Sequence, residues 1–424
     1  MGYNSYDIKE GIKLHVIDTN KFKTNLLTVF LSTELNKENV TANALIPLVL
    51  KRGTNNLKTQ EDISKELENM YGAAFDCGID KTGDNQVIKF YLESLNNKYL
   101  PENEDLLSNS IKNLLEIVFN PLTENGKFKE SYVESEKQNL IKIIEGKKDN
   151  KARYAQERCI EEMYKNEPYG LYKFGNIEEL EKIDNQTLYN KYLELIENCK
   201  IDIFISGEIS ENIIETLKEN ESIKNLKPRT PKYKINTIET EKKNEKTQEN
   251  EIKENMEVEQ AKIVIGLDIL QNEIQDKYTA LVYNAILGGT PTSKMFQNVR
   301  EKASLAYTIG SGYIRQKANI LIKGGIDSEN YEKALKIIKE QLEDMKKGNF
   351  TDEDIKNAKT YIISTIKFIP DEQDTEITYY FGQEISGYKM DYKEYRDKIE
   401  KTTKEQIIEL AQRIKINTIY LLSK

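Results

Sequence analysis

The sequence is poor in the side chains that hold catalytic metals. Its 424 residues contain one histidine, His15, and three cysteines, Cys77, Cys159 and Cys199. Zinc sites are built mainly from histidine nitrogen and cysteine sulfur, with carboxylates in support. No two of these four residues stand at the short spacings of such a site. Serine and cysteine triads lean on a positioned histidine as base, and His15 sits in an apolar, strand-like stretch that reads as an ordinary strand. The chain by itself is therefore expected to hold no metal and to carry no catalytic residue.

Long apolar runs are also missing. None approaches the roughly 18 consecutive residues of a membrane span, so no membrane partner is expected. The opening MGYNSYDIKEG has neither the basic nor the apolar region of a secretory signal. Three scattered cysteines read as free thiols in a reducing compartment, and the expected location is cytoplasmic. A net charge of −9 argues against a broad phosphate-tracking surface, hence against nucleic acid as partner.

What is present describes a globular, heavily solvated chain, with 38% hydrophobic and 31% charged residues. Its length suits roughly two to four domains. The clearest break in composition runs over 232–259, a stretch dense in charge of both signs that reads as an exposed, poorly packed linker. On either side lie strand-like runs, Ile201–Ile205 and Ala261–Leu267. The two halves, 1–231 and 260–424, look alike. NALIPLVLKRGT (Asn43–Thr54) aligns with TALVYNAILGGT (Thr279–Thr290) at a constant offset of 236, and each half closes with a helix followed by an apolar strand. A duplication explains this better than a short solenoid repeat. Strands and amphipathic helices alternate: Leu26–Leu31 and Gln86–Leu92 read as strands. Thr59–Tyr71 reads as a helix capped by Thr59 and Asp62, with Ile63, Leu67, Met70 and Tyr71 on one face and Gly72 as its stop. Ser131–Lys148, Tyr331–Lys347 and Thr351–Lys367 read as long helices. The fold class expected is α+β, two homologous α/β-sandwich halves joined by the charged linker.

The glycine-rich stretches lack nucleotide chemistry. Gly288-Gly289 is not followed by the lysine of a phosphate loop, and Gly310–Gly312 lacks the third glycine of a dinucleotide fingerprint. A helix stop and a tight turn are the roles assigned to them. Arg300 and Tyr307 are polar tips in a segment otherwise suited to packing. Their donors fit a structural ion pair or the recognition of a carbonyl or carboxylate.

GGTPTSKMFQNVREKASLAYTIGSGY (Gly288–Tyr313) resembles the C-terminal half of the insulinase/mitochondrial-processing-peptidase family of zinc peptidases. There a Gly-Gly turn precedes an SxLF segment and VREK…LAY; Ser293, Phe296, Arg300, Glu301, Lys302, Leu305, Ala306 and Tyr307 match. Phe119–Pro121 before a long Glu/Lys helix matches too, as does Glu167–Gly170 followed by Asn176–Leu180. The resemblance spans nearly the whole chain. Active members carry H-x-x-E-H, two zinc ligands and a general base, upstream of a Gly-Thr. Anchored on Gly53-Thr54, the resemblance puts the two histidine positions on Ala44 and Leu48 and the base on Pro47; aligning Glu136-Lys137 with the helix pattern of active members puts the third ligand on Ile143. Glu136 and Glu145 stand near Ile143 in the sequence, but carboxylates alone make a weak zinc site.

Some members of that family work as pairs in which one subunit carries the zinc motif and the other lacks it. The resemblance implies a non-catalytic subunit of a heterodimeric peptidase. Its Arg300 and Tyr307 would bind a peptide substrate in a shared chamber, facing the zinc of a homologous partner subunit. The alternative is an inactive binding or assembly protein derived from the same fold.

Overall fold

The computed structural model describes residues 2–101, 104–209, 212–234, 249–271, 273 and 276–424. Its contacts gather the described residues into two compact units that are discontinuous in sequence. The first draws on Met1–Glu145, Leu171–Lys234 and Pro370–Gly382; the second on Gly146–Gly170, Ile235–Ile369 and Gln383–Lys424.

The first unit contains β1 (Gly2–Lys9), β2 (Ile12–Asp18), β3 (Thr24–Glu34), β4 (Ala74–Thr82) and β5 (Asn85–Leu95), then the short pair β6 (Thr123–Glu124) and β7 (Lys127–Phe128), and β8 (Lys200–Gly207). Its main sheet runs β1-β2-β8-β3-β5-β4. The β3 sequence TNLLTVFLSTE is buried over most of its length, as a central strand covered on both faces must be. One face packs against Val40–Leu50 and Leu106–Phe119 in a single apolar cluster. The other is covered by Pro370–Gly382, a segment from late in the chain. Tyr380 stacks on Tyr3 at 4.0 Å and Phe381 on Phe30 at 3.9 Å. Gln373 Nε2 donates to the Ser206 carbonyl at 2.9 Å. His15 lies in β2, fully buried, with Nε2 2.9 Å from Asp202 Oδ1 and Nδ1 2.8 Å from the Tyr3 hydroxyl.

The second unit contains β9 (Asn250–Asn255), β10 (Ala261–Ile269), β11 (Ala306–Ile314), β12 (Asn319–Ile326) and β13 (Ile414–Ser423), ordered β11-β12-β10-β13-β9. One face carries the apolar sides of Asp276–Asn284, Tyr331–Lys347, Asp352–Phe368 and Lys404–Gln412. The other is covered by Lys151–Met163, here a segment from early in the chain. Its Tyr154, Cys159, Ile160 and Met163 pack on Val264, Leu321, Tyr420 and Leu422. Gly266 makes this contact possible, because a Cβ there would lie 2.1 Å from the Met163 sulfur.

The duplication is visible strand by strand. In the first unit β2 runs parallel to β8, and β8, β3, β5 and β4 then alternate antiparallel. In the second, β9 runs parallel to β13, and β13, β10, β12 and β11 repeat the pattern. Each unit also takes the helix on its second sheet face from the other half of the sequence.

Three local expectations need correction. The segment 232–259, read as poorly packed throughout, contains β9; its stretch 235–248 lies outside the described residues. The strand NEIKEN is mostly exposed, and the backbone ladder to β13 holds it without apolar density. Tyr71, placed on the packed face of its helix, is 46% exposed, takes a left-handed φ of 59° and donates its hydroxyl to Glu104. Gly310 and Gly312, read as a turn, lie inside β11. The capping box of Thr59 and Asp62 forms as its spacing requires, and Thr351 and Thr403 build the same device.

Candidate functional site

Two loci correspond to the residues singled out in the sequence, one in each unit. The first is the helix Val40–Leu50. Ten of its eleven residues are buried: Ala44 is at 0% exposure, Pro47 is buried, and Leu48 packs partly buried against the same core. Pro47 has no backbone N–H, and its carbonyl accepts from Cys77 Sγ at 3.5 Å. Burial pushes the Cys77 thiol up to about 12, so it stays protonated near neutral pH, the form that binds metal poorly. The helix Glu130–Glu145 lies beside this one. Its Glu136, only 2% exposed, faces Arg52 Nη1 at 3.3 Å and accepts from Asn139 Nδ2 at 3.0 Å. Arg52 also lies over the Tyr132 ring at 5.1 Å. Ile143, on the same helix, is 40% exposed, and Glu145 is exposed. A methyl, a pyrrolidine ring and two aliphatic chains supply no electron pair for a cation, and the nearby carboxylate is committed to a guanidinium. The residues at this locus do not fit a zinc ion.

Gly53-Thr54, the pair that ends this helix, has its own structural logic. A Cβ on Gly53 would come within 2.5 Å of the Lys58 carbonyl oxygen. Thr54, fully buried, donates to Glu116 Oε1 at 2.6 Å and accepts from the Leu57 N–H at 2.9 Å. In the second copy, a Cβ on Gly289 would sit 2.8 Å from Asn284 Nδ2, and Thr290 donates to the Ala285 carbonyl at 3.1 Å.

The second locus is built on Phe296–Lys302 and the start of β11. Met295 and Val299 are fully buried and fix this helical segment to the core, which leaves Arg300 on the outside. Its Nε lies 3.7 Å from Glu301 Oε1, and its guanidinium covers the Phe296 ring at 4.6 Å. A left-handed turn at Ser304, φ 53°, leads into the strand. Ala306 pairs with Ile326 and Thr308 with Gly325, so Tyr307 is the extra residue of a β-bulge. Bulges re-aim side chains and recur next to active sites; here Tyr307 is 73% exposed. Arg300 and Tyr307 line one open cavity of about 420 Å³, with Gln260, Glu301 and Asp327 on its walls. Sequence reasoning paired Arg300 with Tyr307. It missed the bulge, whose only trace is the register, and it missed the Arg52–Glu136 contact, which spans 84 residues.

Fold and site together define a duplicated peptidase-type α/β protein whose helix Val40–Leu50 carries no metal-ligating side chain at Ala44, Pro47 or Leu48. Residues 182–362 match the family model described as the peptidase M16 inactive domain. Over 413 residues the chain is 33% identical to the probable inactive metalloprotease YmfF of Bacillus subtilis, covering 97% of this chain and 96% of that one. A conserved protein from Enterococcus faecalis superposes with a TM-score of 0.90 at 25% identity, over 100% of this chain and 99% of that one. The peptidase M16 inactive domain from Pseudomonas fluorescens superposes with a TM-score of 0.78 at 18% identity, over 100% and 98%. The chain belongs to the M16 peptidase family, as an inactive homologue.

Proposed function

We propose that this chain is the non-catalytic subunit of a two-chain zinc peptidase, whose homologous partner carries an intact H-x-x-E-H motif, holds the zinc and activates the water. The observation that carries this reading is the contrast between the two loci. Ala44, Pro47, Leu48 and Ile143 offer no ligand atom, whereas Arg300 and Tyr307 stand exposed on the wall of one cavity. A pair kept only for packing would be buried in a local network. This pair stays accessible to solvent, with the Arg300 side chain 42% exposed and Tyr307 73% exposed at the bulge.

The guanidinium presents up to five donors and the phenol one. They hydrogen-bond the backbone carbonyl of a bound peptide and the oxyanion that develops from it. Donors fixed before reaction typically contribute a few kcal/mol to lowering such a barrier. The three free thiols accord with work in the reducing cytoplasm. Arg300→Ala in the reconstituted pair lowers peptide turnover by about 10²-fold or more on this account, and Tyr307→Phe lowers it in the same direction. Wild-type turnover in both variants would refute the assignment.

A further inference from the structure

A second cavity in the same unit, about 470 Å³ in volume, opens between the helix Lys151–Met163 and the strands β10, β11 and β12. Its walls include Arg153 and Gln156 of the helix, Lys262 of β10, Thr308 of β11 and Lys323 of β12. Among the described residues no aspartate or glutamate lines it, although the chain as a whole carries a net charge of −9. Arg153 is partly answered from outside the cavity, its Nε 3.1 Å from Glu157 Oε1. Lys323 Nζ donates to a neutral partner, Gln156 Oε1, at 3.1 Å. Lys262 Nζ sits 3.3 Å from the point a Cβ would occupy on Gly325, as does Thr308 Oγ1. Two ammonium groups thus border one concave surface with no carboxylate of the described residues lining it. Gly325 borders this cavity and also the one lined by Arg300 and Tyr307.

We infer that this cavity receives a carboxylate of the peptide, so that the protein selects acidic substrates. The inference rests on the reading of Arg300 and Tyr307 as the substrate-binding pair. A peptide whose backbone lies at that pair reaches the adjoining cavity with a neighbouring acidic side chain. Cationic clefts with low-dielectric walls concentrate opposite charge, and such complementarity discriminates mainly against neutral and basic competitors.

The test uses the isolated chain and three labelled peptides of equal length, read by fluorescence anisotropy at low and at physiological salt. One has internal Asp and Glu with an amidated C-terminus, one is neutral with a free C-terminus, and one has Lys in place of the acids. The first binds at least about tenfold tighter than the third, and salt weakens it. Lys262→Gln with Lys323→Gln, both lining the cavity, removes that preference while the circular dichroism spectrum is kept. If the neutral peptide with a free C-terminus shows the preference instead, the carboxylate held is the terminal one and selection for acidic side chains is overturned. Equal binding of all three, no binding, or an unchanged preference in the double variant also overturns it. Failure of the parent reading looks different. Arg300→Ala then leaves turnover of the reconstituted pair unchanged, while the isolated chain still prefers acidic peptides.

Discussion

Arg52 and Glu136 meet at 3.3 Å beside the helix that carries Ala44, Pro47 and Leu48. The ion pair joins the end of that helix to the helix Glu130–Glu145. The carboxylate is nearly inaccessible and the guanidinium about a quarter exposed.

Arg52→Ala leaves a buried carboxylate without its cation. Breaking fully buried pairs costs several kcal/mol, and partial exposure of Arg52 reduces this to about 1–3 kcal/mol. Glu136→Gln, which keeps the shape and an acceptor, costs less. Urea midpoints of the two variants check the ranking. Midpoints equal to wild type in both variants would mean that the pair holds nothing together.

The glycine that ends the same helix gives a sharper steric contrast. Gly53→Ala drives a methyl to within 2.5 Å of the Lys58 carbonyl oxygen, whereas Gly72→Ala meets nothing within 4 Å and suffers only its positive φ of 75°. Overpacking of this kind costs about 1–3 kcal/mol, and a left-handed Ala about 1 kcal/mol. Thermal unfolding of both variants is expected to place Gly53→Ala lower.

Much of this architecture is legible in the sequence. The alignment of Asn43–Thr54 with Thr279–Thr290 located corresponding helices, and the boundaries of Tyr331–Lys347 follow directly from apolar spacing. The Thr59, Thr351 and Thr403 caps announce themselves through a carboxylate or amide three residues on. Other features leave no such signal. β9 is hydrophilic because it is an edge strand, so composition points to a linker. The exchange of covering helices between the two halves of the sequence depends on which sheet a helix meets, which periodicity does not encode. The same holds for the cationic cavity, since Arg153, Lys262 and Lys323 each read as a solvated charge in isolation.

Lys277 offers a pH test of the second unit. It is 5% exposed, its amine 3.6 Å from the centroid of the Tyr388 ring. Burial, followed by the charges of Arg315 and Lys398, lowers it to about 8, with Glu394 opposing. The charged form is the penalised one. Below pH 8 both folded and unfolded states hold the proton and the penalty is complete. Between about 8 and the ordinary lysine value of 10.5 the folded state releases the proton first, so stability attributable to this residue rises with pH. The stability advantage of Lys277→Met over wild type is therefore expected to shrink between pH 8 and pH 10, as read from urea midpoints. A constant difference across that range contradicts the assignment.

The exposed pair at the candidate site predicts separable effects on fold and function. Arg300→Ala and Tyr307→Phe change side chains that are well exposed, so unfolding midpoints should stay within about 0.5 kcal/mol of wild type. The loss appears in turnover of the reconstituted pair. A large loss of stability in either variant would mark the residue as structural.

The central claim is that this chain works with a zinc-bearing homologue, and capture from native cells tests it most directly. The tagged chain is recovered and its stoichiometric companions are identified by mass spectrometry. The account predicts a companion of similar length with an intact H-x-x-E-H motif, present one to one and giving a complex that cleaves peptides. Recovery of the chain alone, or only with proteins unrelated to it, would contradict the paired-peptidase reading.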